Sequence, residues 1–342
     1  MIRDVAREAG VSVATVSRVC NGSHLVTEAT RRHVQDVCTR LGYVPHGAAR
    51  ALITSKTRML GILLPDLHGE FFSEVLRGID QAAQRRGYHV LVASSHDEPR
   101  ELVAALGSMH GRVDGLVVMS PSLDGTQALA TLNARFPVVL LNCRVAGDAF
   151  ETITIENAAG AAAVVRHLLQ LGHRRIATLT GSPTNYDSAE RLRGFRDALL
   201  GAGITPDPDL EVMGGFRESG GYNGALALLD MEVRPTAIFA ANDAMAIGAL
   251  GALHERGLRV PSEMAVVGFD DIPMARFITP PLTSVHVDIS ELGERATVRL
   301  LDGLEHPGAR ERRHDIIPTR LVIRGSCGGQ GRATSAPGAL SS

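Results

Sequence analysis

The first forty residues repeat their apolar positions with a helical period. Residues 4–9 carry apolar side chains on one side, which predicts a short helix, and Gly10 supplies the positive φ of a sharp turn. Ser12 is suited to cap a second helix over residues 13–20. Two short helices joined by a turn containing glycine predict a helix-turn-helix, whose second helix enters the DNA major groove. A third helix is expected over residues 27–41, with Thr27 as its cap.

From Met59 onward, short apolar runs alternate with amphipathic segments, and the pattern repeats weakly in a second half. Such alternation predicts parallel sheets covered by helices on both faces, with a ligand between two units at the carboxyl ends of their strands. The expected fold is an all-α helix-turn-helix head plus an α/β body of two doubly wound parallel-sheet subdomains. Predicted strands cover 59–65, 89–93, 115–119, 137–141, 175–180, 237–240 and 265–269, and predicted helices cover 71–86, 158–171, 189–200 and 243–256.

Charge is unevenly spread along the 342 residues. Residues 1–58 contain nine Lys/Arg and four Asp/Glu, whereas the remainder contains 26 and 33. A basic head on an acidic body fits a phosphate-binding module joined to a body that does not touch nucleic acid. The alternative is chance variation in surface charge.

The chain shows no secretory signal, no apolar run near the roughly 20 residues of a membrane helix, and no paired-cysteine motif. We therefore expect a cytoplasmic protein, associated with the nucleoid, with free thiols and no membrane partner. The sequence also lacks GxxxxGK[ST], GxGxxG, GxSxG and HExxH, and its thirteen histidines show no metal-ligand spacing. These absences predict no enzymatic activity, no cofactor and no metal.

A series of motifs resembles the LacI/GalR family of bacterial transcription regulators. The matching segments are DVA at 4–6, AGVS at 9–12, ATVSRV at 14–19, NG at 21–22, GYVP at 42–45, ARAL at 49–52, GILLPD at 61–66, FDD at 269–271 and PPLT at 280–283. The resemblance covers roughly residues 2–325. It implies a body like the periplasmic sugar-binding proteins, with the chain crossing three times between its two subdomains.

The resemblance and the pattern together divide the chain into four parts. Residues 1–46 form the helix-turn-helix domain, 47–58 a hinge helix and linker, 59–325 the effector-binding and dimerisation domain, and 326–342 a disordered tail. Within the body, one subdomain covers about 59–158 and 288–318, and the other about 159–287 and 319–325.

One face of the second helix is predicted to read DNA bases. Arg18 can donate two bonds to a guanine edge, worth about 1–3 kcal/mol of discrimination; the alternative is an ion pair with Glu8. The predicted base-contact residues are Val13, Ala14, Ser17, Arg18 and Leu52. The predicted phosphate-contact residues are Ser12, Thr15, Asn21 and Ala49.

Residues 48–53 (AARALI) resemble the family's hinge helix, which folds when two subunits meet on DNA. The resemblance implies that Leu52 wedges into the central base step of the minor groove, and Ala49 is small enough for two hinges to approach closely. The alternative is that Leu52 packs on the body.

The resemblance also implies an effector site at the strand ends of both subdomains. Phe71 and Phe72 open the first helix of the body, and one of them is expected to face the core and the other the ligand. The predicted effector-binding residues are His68, Phe72, Asn142, Arg191, Phe216, Asn242 and Asp270. The alternative for Arg191 and Asp270 is a salt bridge between the two subdomains.

We therefore predict a homodimeric transcriptional regulator that binds palindromic double-stranded operator DNA, because one helix-turn-helix per chain reads half of a palindrome. It is expected to repress genes of carbohydrate uptake or catabolism and to respond to a small-molecule effector, a sugar or sugar derivative. A sugar-binding receptor without a regulatory role and an α/β enzyme are the alternatives. The sequence leaves open the effector, the operator and the direction of the response.

Overall fold

The computed structural model describes residues 1–20, 25–43, 56–121, 136–143, 150–306 and 314–329. The chain forms two compact units. The first combines residues 1–59 with 111–114, and the second combines 60–110 with the chain from 115 onward.

The described part of the first unit contains three helices: α1 (Ile2–Glu8), α2 (Val13–Cys20) and α3 (Glu28–Arg40). Gly10 adopts φ +61° between α1 and α2, and Thr27 caps α3 by accepting from the backbone N–H of Thr30. The predicted helix-turn-helix is confirmed, although α1 begins at residue 2 rather than 4. The earlier start has a physical reason, because the Asp4 carboxylate accepts a 2.9 Å bond from the Met1 amino group. The helices enclose a small core of Val5, Ala6, Ala9, Val16, Val19, Val34 and Val37.

The second unit contains two six-stranded sheets, each forming one lobe. Lobe 1 has the strand order β11-β5-β4-β3-β1-β2. The pairs β1–β3, β3–β4, β4–β5 and β5–β11 are parallel. Its strands are β1 (Met59–Leu64), β2 (His89–Ser94), β3 (Gly115–Met119), β4 (Val138–Leu141), β5 (Glu151–Ile155) and β11 (His314–Ile317). Its helices are α4 (Glu70–Arg85), α5 (Pro99–Met109) and α10 (Ile289–Glu305).

Lobe 2 has the strand order β12-β10-β9-β8-β6-β7. Its strands are β6 (Ile176–Thr180), β7 (Glu211–Met213), β8 (Ala237–Ala240), β9 (Ala265–Asp270), β10 (Thr283–Val287) and β12 (Thr319–Val322). Its helices are α6 (Asn157–Gln170), α7 (Tyr186–Gly201), α8 (Glu218–Leu229) and α9 (Asp243–Glu255). Edge strand β12 runs antiparallel to β10, which departs from the purely parallel sheet expected.

The chain passes between the lobes after β5, after β10, and between β11 and β12. The central strands β3, β4, β6, β8 and β9 are buried along their whole length, as expected where helices cover both faces.

In the body, the start of α7 was predicted three residues too late. Helix α7 begins at Tyr186, three residues before the predicted 189, because Asn185 caps it: its Oδ1 accepts a 3.0 Å bond from the N–H of Ser188. The loop before α7 therefore ends at Asn185. Within the described residues, no helix is both long and apolar enough to cross a membrane.

Candidate functional site

The surface of α2 separates into a buried and an exposed side. Val16 and Val19 are buried in the head core, while Val13 is 43% exposed and Ala14 and Arg18 are also exposed. Three of the predicted base-contact residues therefore share the outer face of α2, and the fourth on this helix, Ser17, is half-buried beside them.

Arg18 forms no ion pair within the described part of the head. The alternative partner, Glu8, instead lies 3.6 Å from Arg40 of α3. The Arg18 guanidinium is therefore available to a ligand outside the chain.

Two hydroxyl groups mark the start of α2. Ser12 Oγ accepts a 3.1 Å bond from the N–H of Thr15, and the two side-chain oxygens lie 2.9 Å apart. This confirms Ser12 as the helix cap and places both predicted phosphate-contact hydroxyls at one helix terminus. The remaining predicted DNA contacts, Asn21, Ala49 and Leu52, lie outside the described residues, as does most of the predicted hinge.

A cavity of about 530 Å³ lies between the two lobes at the carboxyl ends of their strands. This is where parallel α/β sheets present ligand-binding groups. Six of the seven predicted effector-binding residues line the cavity: His68, Phe72, Arg191, Phe216, Asn242 and Asp270. The seventh, Asn142, is fully buried outside the lining, with its amide close enough to Asp187 to favour the charged form of that carboxyl.

Arg191 is held rigidly at the floor of the cavity. Its Nε donates to Asn157 Oδ1 at 2.8 Å, and its Nη1 donates to the carbonyl of Ala241 at 2.5 Å. The guanidinium carbon lies 3.7 Å from the centre of the Phe269 ring, so the cation also rests on an aromatic face. With only 3% of the residue exposed, these contacts fix one orientation of the guanidinium.

Asp270 forms an ion pair with Arg191 that leaves one acceptor unused. Arg191 Nη1 lies 3.1 Å from Asp270 Oδ1 as an ion pair, and Oδ1 accepts no hydrogen bond within the described chain. Both residues belong to lobe 2, so the alternative of a salt bridge between the subdomains is wrong. Burial raises the pKa of Asp270 to about 7, against the lowering effect of Arg191.

The sequence did not single out Asp187, a second buried carboxyl in the cavity wall. Its Oδ1 accepts a 2.7 Å bond from Asn157 Nδ2, so Asn157 joins Asp187 and Arg191 in one network. Burial raises the pKa of Asp187, while Arg191 favours its charged form. An Asp in the first turn of a helix is ordinarily explained by its favourable interaction with the helix dipole. The sequence alone therefore gave no reason to assign Asp187 a binding role.

Phe216 presents its ring from the loop after β7. Its backbone adopts φ +63°, an uncommon conformation for a residue with a side chain, and Asn242 Nδ2 donates a 3.0 Å bond to its carbonyl. Asn242 also caps α9 by accepting from the N–H of Met245. The two predicted residues therefore support each other at the strand ends of lobe 2.

In lobe 1, Phe71 and Phe72 form an edge-to-face pair with ring centroids 5.5 Å apart. Both line the cavity and both pack partly against the core, so the expected division between a core-facing and a ligand-facing ring is not observed.

Three polar contacts join the lobes at the cavity mouth. Arg217 donates to Asp66 at 2.5 Å, and the backbone N–H of Met274 donates to Glu70 at 2.9 Å. His68 Nε2 lies 3.5 Å from a carboxylate oxygen of Glu218. The sequence indicated His68 as an effector-binding residue but did not indicate these contacts, because they form only when two distant segments meet. Within the described residues, no group of three or more His, Cys, Asp or Glu side chains could hold a metal ion.

Comparisons with known proteins match both parts of the chain. Residues 1–46 match the model described as "Bacterial regulatory proteins, lacI family", and residues 165–327 match the "Periplasmic binding protein-like domain". The ribose operon repressor of Escherichia coli (strain K12) is 34% identical over 331 residues, covering 95% of this chain and 99% of the relative. The transcriptional regulator GalS of Salmonella typhimurium is 37% identical over 326 residues, covering 95% and 96%.

Solved structures agree with these relatives. The lac repressor dimer bound to operator and the anti-inducer ONPF superposes with a TM-score of 0.84 at 30% identity, covering 95% of this chain and 98% of that chain. The complex of the transcriptional regulator CelR with cellobiose superposes with a TM-score of 0.72 at 32% identity, covering 95% and 99%.

A helix-turn-helix head on a two-lobed, cavity-forming body defines a DNA-binding regulator that takes a small molecule. This chain belongs to the lacI family of bacterial regulatory proteins. The predicted family, fold and regulatory class are confirmed.

Proposed function

We propose that this protein represses a carbohydrate uptake or catabolism operon and that a sugar bound between its lobes alters its affinity for the operator. The observation that carries the proposal is the cavity itself, where Arg191 and Asp270 meet two aromatic rings, Phe72 and Phe216. Polar groups that fix hydroxyls, combined with apolar faces, suit a sugar. The ribose operon repressor and the CelR–cellobiose complex, both similar over nearly the whole chain, support this class of effector.

For the DNA contacts, we infer that Arg18 reads a base edge while Val13, Ala14 and Ser17 lie against neighbouring bases. Arg18 is exposed and without an ion-pair partner in the described head, which leaves its forked donor pair free for guanine. Ser12 and Thr15, together with Asn21 and Ala49, would fix the register through the phosphates. Leu52 would wedge into the minor groove, as the family resemblance implies.

We infer a homodimer on a palindromic operator, because a single head reads only one half-site. The lac repressor structure with which this chain superposes is a dimer bound to its operator, which supports the same arrangement. A DNA-bound regulator of this kind works in the bacterial cytoplasm, at the nucleoid, and performs no catalysis.

The proposed switch rests on two cavity geometries with different operator affinity. An effector shifts their balance only by binding one geometry more tightly than the other. Asp66–Arg217 and Glu70–Met274 close the mouth in the present geometry, so opening the lobes must break both contacts.

A sugar screen by thermal shift, followed by a gel-shift titration with each hit on the chain's own promoter region, tests the proposal. A hit that changes operator affinity supports it. A protein that binds a sugar but shows no preference for promoter DNA over random competitor would instead be the sugar-binding receptor considered above.

A further inference from the structure

The cavity is lined by many more carboxylates than cations. Its acidic side chains are Asp66, Glu70, Asp97, Asp187, Glu218 and Asp270, and its guanidinium groups are Arg191 and Arg217. Such a lining generates a negative potential that attracts cations and repels anions.

Both cationic groups already have carboxylate partners. Arg217 donates to Asp66 at 2.5 Å at the mouth. Arg191 is bonded to Asn157 and to the carbonyl of Ala241 and lies 3.1 Å from Asp270. A phosphate or carboxylate on the effector would have to compete with these internal partners for either guanidinium.

The deepest part of the cavity combines two buried carboxyls with a single guanidinium. Asp187 and Asp270 lie close enough that the charge of Asp187 raises the pKa of Asp270. Since Asp270 lies 3.1 Å from Arg191 Nη1 and Asp187 interacts electrostatically with the same guanidinium, part of its positive charge is already compensated before a ligand arrives.

The same region contains one carboxylate oxygen that is open to a further donor. Asp270 Oδ1 is buried and has no hydrogen-bond partner within the described chain, which is costly unless a bound molecule supplies a donor. Hydroxyl groups supply such donors without adding negative charge.

From these observations we infer that the cavity selects an uncharged, hydroxyl-rich effector and rejects the phosphorylated or acidic forms of the same sugar. Asp187 contributes to this selection by placing a second buried carboxyl near Arg191, in addition to Asp270. The inference rests on the proposed sugar effector and names which chemical form of the sugar is sensed. The regulator would therefore respond to the sugar before a kinase or an oxidase adds a negative charge.

The experiment uses the full chain and matched ligands that differ in charge. Isothermal titration compares D-ribose with D-ribose 5-phosphate, and D-galactose with D-galactose 6-phosphate and D-galacturonate. Inorganic phosphate serves as the anion probe. We expect the neutral member of at least one set to bind saturably and its anionic partners to bind at least about 100-fold more weakly, a gap of about 2.7 kcal/mol. Inorganic phosphate is expected not to bind the cavity.

Two variants separate the role of Asp187 from a general change in charge. Asp187→Asn is expected to reduce the ratio of the affinities for neutral and anionic sugars about tenfold, because one negative charge beside Arg191 is lost. Glu232→Gln removes an exposed carboxylate outside the cavity lining and is expected to leave the gap unchanged. If Asp187→Asn does not fold, the comparison of matched sugars on the wild-type chain still tests whether the cavity rejects anionic sugars.

The outcomes distinguish the two proposals. An anionic sugar that binds as tightly as its neutral partner, or phosphate that binds and is displaced by a sugar, overturns the charge selection alone. A chain that binds operator DNA but none of these sugars, neutral or charged, overturns the proposed sugar effector and this inference with it.

Discussion

Gly181 lies directly against the ring of Phe216: a Cβ at position 181 would lie 2.2 Å from Cε2 of that ring. Position 181 directly follows β6, and Phe216 is one of the residues that line the cavity. The absence of a side chain at 181 therefore allows the ring to occupy its place in the proposed effector site.

Gly181→Ala should displace the Phe216 ring and weaken sugar binding about tenfold or more. Inserting a methyl group into a packed site also costs about 1–3 kcal/mol of stability. Calorimetric titration with a sugar identified by the screen measures the first effect, and urea unfolding measures the second. Gly201→Ala is the matched control, because a Cβ there meets no atom within 4 Å. Equal sugar affinity in both variants would show that the Phe216 ring does not contribute.

Arg18→Lys should reduce discrimination at one operator position by about 1–3 kcal/mol, because an ammonium group cannot reproduce the forked pair of guanidinium bonds. Overall charge is kept, so the salt dependence of binding should change little. Fluorescence anisotropy with operators altered one base pair at a time measures the effect. A uniform loss of affinity across all sequences would place Arg18 on a phosphate instead.

Asp270→Asn should change how stability depends on pH. The ordinary pKa of Asp is 3.8, and burial raises that of Asp270 to about 7. Between these values the folded chain holds a proton that the unfolded chain has lost. The contribution of Asp270 to stability is therefore largest below about pH 4 and falls as the pH rises toward 7.

The measurement is the difference in unfolding free energy between wild type and Asp270→Asn at pH 5 and at pH 8. The unfolding free energy of wild type minus that of the variant should be larger at pH 5 than at pH 8. Glu232→Gln, an exposed site, should show no such trend. A difference that instead favours wild type more strongly at pH 8 would mean that the ion pair with Arg191 outweighs burial.

Reversing the Asp66–Arg217 pair tests the contact at the cavity mouth. Asp66→Arg or Arg217→Asp alone should weaken sugar binding by a few fold, since exposed ion pairs contribute about 1 kcal/mol or less. The double variant should recover most of the loss, because the pair is restored with its charges exchanged. A double variant no better than the single ones would show that the contact is incidental.

Much of the fold follows from local signals. Gly10, Ser12 and Thr27 specify the turn and caps of the head through their own backbone and side-chain chemistry, and the structure confirms their roles. The early start of α7 was missed because Asn185 resembles a loop residue until its bond to Ser188 is known.

The cavity was only partly predictable, because its other residues act through partners distant in sequence. Asp187 becomes a buried acceptor through Asn157, which lies 30 positions away at the start of α6. Asn142 satisfied the strand-end rule but lies outside the cavity lining, and no property of its own segment indicates this. Strand-end position predicts the neighbourhood of a site, whereas the lining depends on the packing of several elements.

Occupancy of the cavity is proposed to control the affinity of the head for DNA. The most direct test of this control is fluorescence anisotropy of a labelled promoter fragment, titrated with the full chain with and without a saturating cavity-binding sugar. We expect at least a fivefold change in operator affinity, and we expect no change in an Arg191→Ala variant that no longer binds the sugar. Identical titration curves with and without a sugar proven to occupy the cavity would contradict the proposal.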